Sequence, residues 1–133
     1  MQGKMTVGGD RMATKIQKIN DVITINSGDK TYDLPGADPK ILVEATLASC
    51  AVKTMREVLE RDGIDYNEAD LAAEVEGTLS ESGVKRFTHF HLKLTYPPFP
   101  SEYDEDKFLI TVERGCIIGN TLKNEATVEF TKH

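Results

Sequence analysis

The amino-acid sequence predicts an α+β fold in which a mostly antiparallel sheet packs around one long buried helix. Three observations lead there. A 25-residue stretch, 38–62, reads as a single helix with a stop signal at each end; two alternating stretches follow it, joined by a short turn; and short β-compatible stretches separated by turn residues precede it. Strands, then a buried helix, then a hairpin and further helices is an α+β order. With 133 residues, the chain is one domain on size and long enough to bury a core.

The opening is a strand meander over residues 1–34. Residues 3–8 (GKMTVG) and 12–19 (MATKIQKI) flank Gly9, Asp10 and Arg11, which predicts a hairpin with Arg11 near its tip. Asn20-Asp21 turns into Val22–Ile25, Ser27-Gly28-Asp29 turns again, and residues 30–37 lead into the helix through the Pro35-Gly36 breaker.

In the central helix, Asp38 can accept the free amides of the first turn and Pro39 suits the first helical position, while Gly63 suits the left-handed stop. Ile41, Ala45, Ala48, Val52, Met55 and Leu59 recur at helical steps. From Ile41 to Val52 only Glu44, Thr46 and Ser49 are clearly polar, so this half is expected to be buried nearly all round.

The rest of the domain is assigned to 71–133. Residues 71–79 alternate as a half-buried strand, SESGV turns, and 87–96 alternate as a second, longer strand, closed by the prolines of PPFPS. Residues 102–114 begin acidic, as a helix N-terminus prefers, and bring Phe108, Ile110 and Val112 inward. A short second helix opens at Cys116, and 126–131 (ATVEFT) alternates as a last strand.

Composition excludes several functions. A net charge of −6 argues against nucleic acid, which needs a concentrated basic surface. No apolar run approaches the roughly 20 residues that span a bilayer. The opening MQGKMTVGGDR has no apolar signal-peptide core, so a cytoplasmic protein with reduced thiols is expected. His89 and His91 share a strand face without a third ligand, and Gly115 and Gly119 lack the Lys-Ser/Thr end of a phosphate loop. Neither metal nor cofactor is expected.

The two cysteines remain. They are either ordinary core residues or reactive groups. Cys116 stands at a helix start, where free amides favour a thiolate. Cys50 lies mid-helix, where burial alone makes a thiol inert; to act as a nucleophile it needs a cation from an Arg or Lys.

The string DPKILVEATLASC, then GVKRFTHFHLKL, then ERGCIIGNTL resembles the OsmC/Ohr family in the same order from about residue 35 onward. Asn120, Thr121 and Leu122 match the family's second cysteine segment, while Ile117, Ile118 and Gly119 replace its Pro, Val and Ser. The resemblance implies an OsmC-like single domain over 1–133, an intertwined homodimer, and a cysteine-based peroxidase acting on hydroperoxides, organic ones especially. Cys50 falls on the peroxide-attacking cysteine, Cys116 on the resolving one, and Arg11 on the hairpin arginine that serves the first. The oxidised pair would be reduced by a dithiol, from a lipoyl protein or a thioredoxin-like one. The family's peroxidase branches carry a glutamate ten residues before the first cysteine, where this chain has Lys40. Two other functions suit the same scaffold: a dimer without peroxidase activity that binds a small apolar ligand, or a structural role.

Overall fold

The computed structural model describes residues 13–133; Arg11 and the first predicted strand, residues 3–8, lie outside them. The described residues fall into two compact units divided after Ile41.

The first unit is an antiparallel meander in the order β1 (Thr14–Ile19), β2 (Val22–Ser27), β3 (Lys30–Pro35). Asn20 and Asp21 both have positive φ, at 53° and 64°, the two-residue turn whose twist suits a hairpin, and Ile19 faces Val22 across it. Residues 30–35, expected only as a lead-in, are a full strand: Leu34 faces Ile23 and Tyr32 faces Ile25. Pro35 stands at the strand's last position, where no ladder donor is lost.

Helix α1 spans Pro39–Arg61, one residue short of the predicted stretch at each end. Asp38 Oδ1 accepts the Ile41 amide at 2.9 Å. At the far end Gly63 takes φ of 69°, and the Ile64 amide reaches back to the Leu59 carbonyl at 2.9 Å while that of Gly63 reaches Glu60 at 3.2 Å. This is the glycine stop read from the sequence.

The buried side of α1 is not the predicted one. Leu47, Ala51, Thr54, Met55, Val58 and Leu59 are buried, whereas Ile41, Ala45, Thr46 and Ser49 are exposed. The predicted and observed faces merge only at Met55 and Leu59. Among the described residues, then, this half of the helix carries exposed positions, against the expectation of burial nearly all round.

In the second unit, β4 (Ala72–Leu79) and β5 (Phe87–Thr95) form an antiparallel hairpin with a bulge at Thr78/Leu79. A side-chain carbon on Gly77 would stand 3.0 Å from both the Phe87 and Phe90 rings, so the absence of one lets the aromatics lie on the strand. The Gly77 amide donates to Glu44 Oε2 at 2.8 Å, tying α1 to β4.

Helix α2 spans Glu105–Gly115. It begins later than the predicted residue 102, because Asp104 caps it by accepting the Lys107 amide at 3.0 Å. Phe108 and Val112 enter a core with Met55, Val58, Leu59 and Leu71, packed by Tyr96, Phe99 and Tyr103. Complete burial of a side chain such as Phe108 or Leu59 contributes about 1.5–3 kcal/mol. Helix α3 (Ile117–Lys123) follows at once.

The last predicted strand is absent. Residues 126–131 pair with nothing among the described residues, and Val128 and Phe130 are 74% and 94% exposed. Alternation marks a segment able to join a ladder; it does not supply the neighbouring strand.

Candidate active site

The site is built where α2 hands over to α3 beside the middle of α1. Thr54, four residues past Cys50, is buried, and its hydroxyl donates to the Cys50 carbonyl at 2.8 Å. Its methyl lies 3.0 Å from where a side-chain carbon on Gly115 would be. Only a glycine lets the end of α2 approach α1 so closely, and Cys116 is the next residue. The Gly115-Cys116 pair thus sets the second thiol against the first.

The two sulfurs are neighbours, both reduced, with Cys50 half-buried and Cys116 buried. Burial pushes the Cys50 thiol up, but it is outweighed. The Ile118 amide, the Cys116 thiol, the Ile117 amide and the Lys53 ammonium together hold Cys50 below the ordinary thiol value. Cys116 moves the opposite way: burial raises it and the adjoining Cys50 raises it further, against the amides of Gly119 and Ile118. The two shifts thus run in opposite directions, Cys50 downward and Cys116 upward.

This reverses the sequence expectation that the helix start favours a thiolate at Cys116. The start of α3 is shared. Cys116 Sγ caps it by accepting the Gly119 amide at 3.4 Å, while the earlier amides of Ile117 and Ile118 address Cys50.

A cation acts on Cys50 from its own helix, as the smallest of the influences on the thiol. Lys53 is one turn further along α1, its ammonium 2.7 Å from Glu57 Oε2. Its spacing from Cys50, three residues along one helix, is legible in the sequence. The amides are not, since a backbone donor leaves no mark in residue types. Arg11 lies outside the described residues. Arg86 is exposed, as are His89 and His91; among the described residues no three His, Cys, Asp or Glu side chains converge on a metal position. Lys40 sits in the first turn of α1, about 15 Å along the axis from Cys50.

A cavity of about 570 Å³ adjoins the pair, its walls including Leu47, Ala51, Phe90, Leu92, Val112 and Cys116. Its two oppositely charged residues, Glu113 and Lys123, are ion-paired with each other at 2.7 Å.

The OsmC-like protein family matches residues 28–131, a span that crosses both units. The chain belongs to the OsmC-like family. No curated protein matches it. Among solved structures it is similar to an organic hydroperoxide resistance protein from Elizabethkingia anophelis, with 13% identity, TM-score 0.60 and coverage of 84% of this chain and 87% of that one. It is similar to an OsmC-like protein of unknown function from Vibrio cholerae at 9% identity and TM-score 0.64, covering 86% and 95%. It is also similar to the organic hydroperoxide resistance protein OhrB of Bacillus subtilis at 15% identity and TM-score 0.58, covering 84% and 90%. At these identities the likeness is one of fold. It agrees with the α+β OsmC-like architecture expected from the sequence. Among the described residues of this OsmC-like chain, no helix is long and apolar enough to cross a membrane.

Proposed function

We propose that this OsmC-like protein is a cysteine-based peroxidase that reduces hydroperoxides, organic ones especially, with Cys50 as nucleophile and Cys116 as resolving thiol. The observation that carries the reading is the contact of two thiols shifted in opposite directions. The Cys50 thiolate attacks one oxygen of the O–O bond, taking that oxygen as a sulfenic acid while the alkoxide leaves and picks up a proton. The Cys116 thiol condenses with the sulfenic acid, forming the disulfide and releasing water. A dithiol, lipoyl or thioredoxin-like, then restores both thiols, a cycle suited to the cytoplasm. By the family resemblance, Arg11 is the candidate for the cationic role that serves the nucleophile.

The working form is a homodimer. The open side of α1 at Ile41, Ala45 and Ser49 supports this, as do the exposed Val128 and Phe130, all apolar or small surface that a second copy would cover.

Stopped-flow oxidation by cumene hydroperoxide against hydrogen peroxide, with mass spectrometry for a Cys50–Cys116 bond, tests the reading. Rapid loss of both thiols, with turnover abolished in Cys50→Ser, is the expected result; thiols unchanged under excess organic hydroperoxide overturn it.

The second reading is an OsmC-like dimer without the peroxidase relay, binding an apolar small molecule. Lys40 and the apolar cavity favour it. Under that reading the wild type is inactive and Lys40→Glu creates turnover.

A further inference from the structure

Backbone donors escape a reading of residue types with one exception: proline has none. The residue after Cys116 is such a case. Ile117 stands where the segment it resembles carries proline. This chain therefore has a main-chain amide at a position where that segment has no donor.

The hydrogen bonds around Cys116 account for where that amide goes. The Asn120 amide reaches the Cys116 carbonyl at 2.9 Å, the first bond inside α3. The Gly119 amide is taken by Cys116 Sγ at 3.4 Å. Helix geometry gives the amides of Ile117 and Ile118 no acceptor within α3, and Cys50 is the acceptor they meet. The turn that carries them is tied back to α2 at two points. The Asn120 side-chain amide donates to the Arg114 carbonyl at 2.9 Å, and Lys123 pairs with Glu113 at 2.7 Å. The Ile117 side chain takes no part, being 69% exposed.

We propose that the Ile117 main-chain N–H is a catalytic group peculiar to this chain, a hydrogen-bond donor to the Cys50 sulfur that stabilises its anion for attack. The proposal rests on the peroxidase reading, which makes Cys50 the nucleophile. The other groups that bear on the sulfur are the Ile118 amide, Cys116 and the Lys53 ammonium, itself paired with Glu57. A donated hydrogen bond has two opposed effects. It enlarges the thiolate fraction at a given pH and makes each thiolate less nucleophilic, the second effect being the smaller. The donor therefore speeds attack at low pH and slows it slightly once the thiol is fully ionised.

The fold allows the amide to be deleted by itself. Ile117 is the first residue of α3, where proline is tolerated. Cys116 before it is extended, with φ −80° and ψ 103°, as a residue preceding proline requires. Ile117→Pro removes the amide, whereas Ile117→Ala keeps it and removes the side chain. Alkylation of Cys50 by iodoacetamide across pH, with peptide mapping, reads the result. The inflection of the proline variant should move upward. Below the wild-type inflection it should react on the order of twofold to fourfold more slowly, and above its own inflection faster, so that the two curves cross. The alanine variant should keep the wild-type inflection. Altered access to the sulfur would scale the rate at every pH and give no crossing. An unmoved inflection in the proline variant, or an equal movement in both variants, overturns the proposal. A second measurement needs no variant: the Ile117 amide proton of the wild-type protein should titrate with the inflection of Cys50 alkylation, and an amide resonance that ignores that inflection also overturns it. If hydroperoxide leaves the thiols reduced while the curves cross, the peroxidase reading fails and the donor stands.

Discussion

The methyl of Thr54 lies 3.0 Å from the position a side-chain carbon on Gly115 would occupy. That single close approach locates the end of α2 on α1, one turn past Cys50, and so places Cys116 beside it. Gly115→Ala requires Thr54 or the end of α2 to give by a few tenths of an ångström and should cost about 1–3 kcal/mol, the range for overpacking. Urea unfolding measures it. Thr54→Ser keeps the hydroxyl that donates to the Cys50 carbonyl but removes the methyl, so the double variant should recover most of the loss. Strict additivity of the two changes would mean the contact is not the constraint.

The opposed proton affinities of the two thiols give a pH signature. Alkylation of Cys50 by iodoacetamide should inflect below the value for free cysteine, because Cys50 is held low despite its burial. Lys53→Met and Cys116→Ala each remove one stabilising partner of the anion and should move the inflection upward. The stability consequences have opposite signs. The lowered Cys50 contributes stability that is present above its unfolded value and lost as pH falls through the folded one. The raised Cys116 contributes stability present below its unfolded value and lost as pH rises through the folded one. Denaturant titrations across that window should therefore show Cys50→Ala and Cys116→Ala tilting the curve in opposite directions.

What the sequence made legible is what neighbouring residues decide among themselves. Asp38 with Pro39 and Gly63 bounded α1 because caps are local, and the alternation of 87–96 located β5 because its period is local. What failed depends on a distant partner. ATVEFT carries the same alternation as β5, yet among the described residues it has no neighbour to complete the ladder and is not a strand. In α1 the apolar residues run most of the way round, so periodicity could not say which side α2 would choose, and the structure chose Leu47 and Ala51 over Ala45 and Ala48. The resemblance assigned Cys50 the attacking and Cys116 the resolving role; the Ile117 and Ile118 amides that lower Cys50 are backbone donors, which no residue type encodes.

Two of the four tyrosines should ionise only near pH 12. The Tyr96 hydroxyl donates to Glu105 at 2.6 Å, and that bond, then burial, pushes it up to about 12. For Tyr103 burial leads and the 2.5 Å bond to Asp62 follows, again to about 12. Because both values are raised, the stability they contribute is full below the unfolded tyrosine value and is lost as pH rises through the folded one. Phenolate absorbance should show two groups ionising near pH 12, and Tyr103→Phe should delete one of them. No group ionising near pH 12 would remove this support for the α1–α2 junction.

The proposed dimer places its heaviest demand on Phe130. That residue is 94% exposed, in a segment patterned as a strand that pairs with nothing among the described residues. A two-fold assembly buries each residue twice, and burying one such side chain contributes about 1.5–3 kcal/mol. Phe130→Asp should then weaken association by roughly 3 kcal/mol or more, a hundredfold rise in dissociation constant at about 1.4 kcal/mol per tenfold. Sedimentation velocity across a dilution series reads this directly. A wild-type chain that sediments as a monomer at every concentration overturns the dimer, and a dimer whose constant ignores Phe130→Asp overturns the role given to this segment.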